Sequence, residues 1–130
     1  MFKHLREDFP TLRGENAPAY LDNACVTLKP DHVINSISDY YSMYPGCGGR
    51  SVHRYGTQVS RLVAEARNSI AKFINANSVS EVVFTRNTTH SINQIAKGMN
   101  WEKGDVIITG DREHNSNLVP WLQLAEEQGI

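Results

Sequence analysis

Glu81-Val82-Val83-Phe84-Thr85-Arg86-Asn87-Thr88-Thr89 is the stretch on which the fold turns. Its first five residues are a short β-branched run of the kind that fills a buried strand. A polar turn follows, and from Thr88 to about Met99 the apolar residues Ile92, Ile95, Ala96 and Met99 recur at helical spacing. The pattern then repeats. Gly104-Asp105 marks a turn, Val106-Ile107-Ile108-Thr109 is a second apolar run, and Asn115 or Ser116 suits the cap of a last helix reaching about Gln128. Strands that are apolar throughout, each followed by a helix, predict an α/β unit whose sheet is covered on both faces.

Upstream, Pro30 opens a helical pattern, since first-turn amides have no intrahelical partner to lose. Val33, Ile34, Ile37, Tyr40, Tyr41 and Tyr44 share one face, and Pro45-Gly46 stops it. The glycine-rich loop Gly46-Cys47-Gly48-Gly49-Arg50-Ser51-Val52-His53-Arg54 follows, then a longer helix from about Gln58 to Asn75. Its apolar face is Val59, Leu62, Val63, Ala66, Ile70, Phe73 and Ile74. Downstream, Gly129 is placed to end the last helix and Ile130 to open another strand. A two-stranded sheet with both faces apolar is not a stable stopping point, so the fold is expected to be incomplete.

Composition narrows the function classes. In 130 residues, hydrophobic residues are 40% and charged residues 21%, enough for a core and too apolar for disorder. Thirteen basic and fourteen acidic residues are mixed along the chain, with no basic block to track a phosphate backbone or an anionic membrane. No stretch approaches the ~20 apolar residues of a membrane span. The N-terminal residues lack a signal-peptide core, so the expected location is cytoplasmic. Cys25 and Cys47 form no CxxC pair, and their spacing leaves a disulfide between them open. His53, His90 and His114 are too scattered to suggest a metal site, and there is no GxSxG elbow.

Three places carry candidate chemistry. Thr88 and Thr89 begin a helix after a strand, where free amides and the positive end of the dipole bind phosphate. Simple helix capping explains the same residues. His114 follows the second apolar run, at the strand-end edge where ligands collect in open α/β sheets. It could stack on a flat ring or carry a proton near neutral pH, or be an ordinary solvated loop histidine. Arg50, in the glycine-rich loop, suits bidentate capture of a carboxylate or phosphate, against the plainer reading of a flexible surface loop. Cys47 in that loop could be a reactive thiol or an ordinary one.

Taken in order, Tyr20-Leu-Asp-Asn-Ala24, Lys29-Pro30, Arg50-Ser-Val-His53, Ala66-Arg67, Phe73-Ile-Asn75, Glu81-Val-Val-Phe-Thr-Arg86, Thr88-Thr89, Ile92-Asn93 and Glu113-His-Asn-Ser-Asn-Leu-Val-Pro-Trp121 resemble the class V aminotransferases. The branch they most resemble is the SufS-like (group II) cysteine desulfurases, over about residue 18 to the end. The resemblance implies the N-terminal part of a fold type I transferase dependent on pyridoxal 5'-phosphate (PLP), with a parallel-dominated sheet, helices on both faces and active sites at a homodimer interface. It implies that Thr88 and Thr89 hold the cofactor phosphate. His114 would stack on the pyridine ring and assist proton transfer, with Asn23, Ala24 and Arg50 on the substrate side. The organisation expected is an arm over 1–30, two helices joined by a Gly/Arg loop over 31–75, and the start of the PLP-binding α/β large domain over 76–130.

The implied activity is desulfuration of L-cysteine to L-alanine with sulfur held as an enzyme persulfide, as in iron–sulfur cluster assembly, with a sulfur-acceptor protein as a further partner. Cys25-Val26 after the LDNA segment and Gly49 before Arg50 depart from that branch. A selenocysteine lyase, epimerase or aminotransferase, or a truncated or split chain working only with a partner, are the alternatives. The family's Schiff-base lysine region is expected farther along than residue 130, so the chain is not expected to be active alone.

Overall fold

The computed structural model describes residues 3–130. Four α-helices carry it: α1 Asp31–Met43, α2 Arg54–Phe73, α3 Thr88–Gly98 and α4 Asn115–Gln128. Short 3-10 turns stand at Lys3–Asp8, Pro10–Leu12 and Val79–Glu81. The chain divides into two compact units between Val79 and Ser80.

In the first unit, α1 begins after Pro30 and α2 begins after His53, whose imidazole Nδ1 accepts the Gly56 amide at 3.4 Å. That cap starts α2 four residues earlier than the apolar periodicity predicts. Gly56 and Thr57 are weak helix formers, and histidine is not a usual N-cap, so the sequence hides the first turn. The 44–53 loop is not a loose surface stretch. The Gly49 amide donates to Ser60 Oγ at 2.8 Å, Ser60 Oγ donates to the Gly56 carbonyl, and the Tyr40 hydroxyl donates to the Gly46 carbonyl. Gly56 is buried against the loop, and a Cβ there would stand 2.5 Å from Ser51 Cβ. Cys25 and Cys47 are both free and exposed, which removes the disulfide the spacing had left open.

In the second unit α3 packs on α4. Its core is small: Val82, Ala96 and Leu124 are buried. Gly129, in the left-handed region at φ 72°, ends α4 as its position predicts.

The expected strands are the correction. Neither 81–85 nor 106–109 forms a ladder, and no strand occurs among the described residues. A strand is defined by hydrogen bonds to a neighbour, and an apolar run cannot supply its own partner. The side chains nonetheless behave as strand residues would. Ile107 is half-buried, whereas Val106 and Ile108 on either side of it are 81% and 92% exposed. One face of the run is covered and the other is open, rather than both being buried.

Candidate functional site

The turn before α3 is built to leave two residues free. Asn87 takes an extended backbone, and its Oδ1 accepts the His90 amide at 2.9 Å. His90 reaches back, its Nδ1 accepting the Arg86 amide at 3.4 Å. The pair is a reciprocal cap with histidine where Glu or Gln usually stands. Thr85 Oγ1 and Ser91 Oγ share a 2.7 Å hydrogen bond beside it. Asn87, not either threonine, therefore does the capping. Thr88 and Thr89 are exposed at the first two helical positions, and among the described residues their amides and hydroxyls make no hydrogen bond. Sequence reasoning missed Asn87 and His90, although an Asn three residues before a polar side chain was the available signal.

This donor set fits a phosphate dianion. It offers two amides at the positive end of a helix dipole and two short hydroxyls, all open to solvent. The same arrangement lacks anionic or imidazole ligands for a metal, its only lone-pair donors being the two neutral hydroxyls. Among the described residues there is no cluster of His, Cys, Asp or Glu that could hold a metal ion.

His114 stands at the start of α4 as its N-cap, a role expected of Asn115 or Ser116. Its Nδ1 accepts the Ser116 amide at 3.0 Å and lies 2.8 Å from Ser116 Oγ. With Nδ1 occupied as an acceptor, the neutral ring carries its proton on Nε2. The ring is exposed. Among the described residues no strand forms a sheet edge for His114 to share with Thr88 and Thr89, and the concavity of about 270 Å³ beside 105–109 and α4 is lined by other residues.

Asn23, Ala24 and Arg50 belong to the first unit. Asn23 and Ala24 lie in a turn closed by the Cys25 and Val26 amides, both donating to the Asp22 carbonyl. The Tyr20 hydroxyl donates to the Asp22 and Val26 carbonyls and ties the turn from behind. Asn23 helps line a concavity of about 350 Å³ with Arg6, Phe9, Leu12, Tyr20 and Thr27, while Ala24 is exposed. Arg50 is exposed directly after Gly49, whose φ of 78° is a conformation that side-chain-bearing residues rarely adopt. That geometry explains why glycine stands before the arginine here.

Comparison with known proteins places this geometry. The sequence model of the class-V aminotransferases matches residues 19–130. The chain belongs to the class-V aminotransferase family. Probable cysteine desulfurases from Methanothermobacter thermautotrophicus and Synechocystis sp. are 39% and 42% identical to it, over 94% and 96% of the chain. The chain spans only about 30% of the length of these relatives. An apo cysteine desulfurase structure from Thermococcus onnurineus superposes with a TM-score of 0.85 at 36% identity, covering 98% of this chain and 31% of that one. Class-V aminotransferases depend on PLP, and the Thr88-Thr89 turn has the donor chemistry for its phosphate. No described helix is long and apolar enough to cross a membrane.

Proposed function

We propose that this chain is the N-terminal portion of a cysteine desulfurase that takes sulfur from L-cysteine, leaving L-alanine and a persulfide on the enzyme. The observation that carries the reading is the pair Thr88 and Thr89, held at the start of α3 with amides and hydroxyls uncommitted while Asn87 and His90 cap the helix around them. Bound there by its phosphate, PLP would supply the electron sink that weakens bonds at the substrate α-carbon. The chain's own residues have simpler tasks. Thr88 and Thr89 would hold the cofactor's phosphate, and His114, its Nδ1 engaged by Ser116, would offer its exposed ring and Nε2 for stacking and proton transfer. Asn23, Ala24 and Arg50 face the substrate, with Arg50 pairing its carboxylate.

The sheet of fold type I, the division at residues 30 and 75, a homodimer, a sulfur-acceptor protein and a cytoplasmic setting are parts of the same proposal. Its support is the identity to probable cysteine desulfurases along nearly the whole chain. The lysines here do not suit the covalent task. Lys97 sits nine residues along α3 from Thr88, about 14 Å at the helical rise, and Lys29 donates to the Thr27 carbonyl in the other unit.

Titrating the 130-residue protein with PLP tests this. Binding should be competed by inorganic phosphate and weakened at least about tenfold by Thr88→Val with Thr89→Val. Binding indifferent to both would overturn the anchoring role. Borohydride reduction should mark no single lysine. Specific reduction onto one, with sulfide released from cysteine faster than free PLP manages, would make the chain a catalyst by itself and sink this division of labour.

A further inference from the structure

We propose that Glu113, Asn117 and Trp121 are positioning residues for His114, acting as one side-chain relay that fixes the loop on which the histidine is carried. The inference rests on the reading of His114 as the ring-side residue. Asn117 and Trp121 stand four apart on one stripe of α4, and Glu113, just before the His114 cap, reaches the start of that stripe. The Trp121 indole N–H donates to Asn117 Oδ1 at 3.2 Å, Asn117 Nδ2 donates to Glu113 Oε2 at 2.8 Å, and the Gly110 amide donates to Glu113 Oε1 at 3.3 Å.

Each link has one allowed direction. An indole only donates and an ionised carboxylate only accepts, so Asn117 between them has a single orientation. The carboxylate gains further from standing at the positive end of α4. All three residues are partly buried, which screens the links from water.

The relay grips the backbone on both sides of His114. Gly110 is four residues before it, and Asn117 is three residues after, with its own amide donating to the His114 carbonyl at 2.7 Å. The carboxylate stands close over Gly110, so a Cβ there would come within 2.9 Å of Glu113 Oε1 and push that side chain aside. At the other end Trp121 meets Trp101 edge-on, ring centroids 6.2 Å apart, and the Trp101 indole donates to the Ala96 carbonyl at 2.7 Å. Ala96 is in α3, whose first residues are Thr88 and Thr89. A continuous line of contacts thus runs from the helix that carries the anion site to the loop that carries the histidine. The His114 ring itself is held through Ser116, so without the relay the cap could form while the loop before it wandered.

Reversal of one link tests this without any cofactor. Asn117→Asp keeps the acceptor for Trp121 and suits a first-turn position, but it sets a second carboxylate against Glu113. Glu113→Gln sets an amide against Asn117. Asn117→Asp should release the Gly110 amide, seen as roughly tenfold faster hydrogen exchange. Glu113→Gln should break the Asn117 link while its carbonyl oxygen can stay on Gly110. Each single variant should mix the His114 tautomers read from its ring nitrogen shifts. The double variant Glu113→Gln with Asn117→Asp restores the link with its polarity reversed. The new side-chain amide at position 113 then donates to the new carboxylate at position 117, and its carbonyl oxygen still accepts from Gly110. This double variant should return both readouts to those of the parent.

Helical content measured on the same samples reports α4 itself. Singles that leave Gly110 exchange and the His114 tautomer unmoved overturn the proposal, as does a double variant no better than the sum of the singles. Loss of helix in the singles that the double repairs supports it, and loss that the double does not repair overturns it. Failure here leaves PLP anchoring by Thr88 and Thr89 intact, and failure of PLP binding leaves the relay intact.

Discussion

Two glycines at helix positions should respond to alanine with opposite signs. Gly56 lies in the first turn of α2, where alanine gains about 1 kcal/mol of helix propensity. A Cβ there would meet Ser51 Cβ at 2.5 Å and the Ser51 carbonyl oxygen at 2.6 Å, and backbone cannot swing aside. Such overpacking costs about 1–3 kcal/mol, so the clash wins and Gly56→Ala should lower the urea midpoint. Gly98 ends α3 with nothing within 4 Å of its would-be Cβ. Gly98→Ala should raise the midpoint, by about 0.4–1 kcal/mol through the unfolded chain. Equal responses would show that loop packing on α2 does not hold in solution. Histidine recurs at this scale: His53, His90 and His114 each use Nδ1 to accept a backbone amide around a helix N-terminus. The sequence shows these among five histidines, but that three of them do the work usually given to Asn, Ser or Glu depends on backbone placed around them.

At the level of elements, α3 is the piece on which the candidate site depends. Its cap is Asn87, and Asn87→Ala should cost about 1 kcal/mol and fray the first turn, while Asn87→Ser should restore most of that. Amide exchange over 88–91 is the measurement. Because the frayed turn is the one that carries Thr88 and Thr89, PLP affinity should fall with it and return with serine. Fraying without loss of affinity would separate the cap from the anion site. Periodicity located this helix at Thr88 from the sequence alone, since Ile92, Ile95 and Ala96 mark its inner face. The runs at 82–85 and 106–109 were equally legible as apolar and β-branched, yet no ladder forms at either. Helices close their hydrogen bonds within four residues, whereas a strand waits for a neighbour.

At the scale of the whole molecule large apolar side chains stand open: Leu21, Val52, Phe73, Val106 and Ile108 are each more than 80% exposed. Surface of this kind drives association. At micromolar concentration the chain should sediment above its monomer mass, and Val106→Lys with Ile108→Lys should shift it toward monomer, since charge placed in an exposed apolar run opposes its burial against a second copy. A monomer that the lysines leave unchanged would mean these side chains are covered in solution.

The sequence by itself determined what depends on neighbours along the chain. It located the four helices, the stop at Gly129, the start of α3 at Thr88 and the ordered motifs that the class-V aminotransferases share. Tertiary structure decided what depends on residues distant in sequence or on geometry around a backbone atom. It made Asn87 and His114 the caps, stitched the 44–53 loop to α2 through Ser60, and oriented Asn117 between Trp121 and Glu113. It also left both β-branched runs without a ladder. The physical reason is range. A helix and its amphipathic face are written within a few residues, whereas a strand, a buried glycine contact or a side-chain relay exists only when separate segments bring their donors and acceptors together.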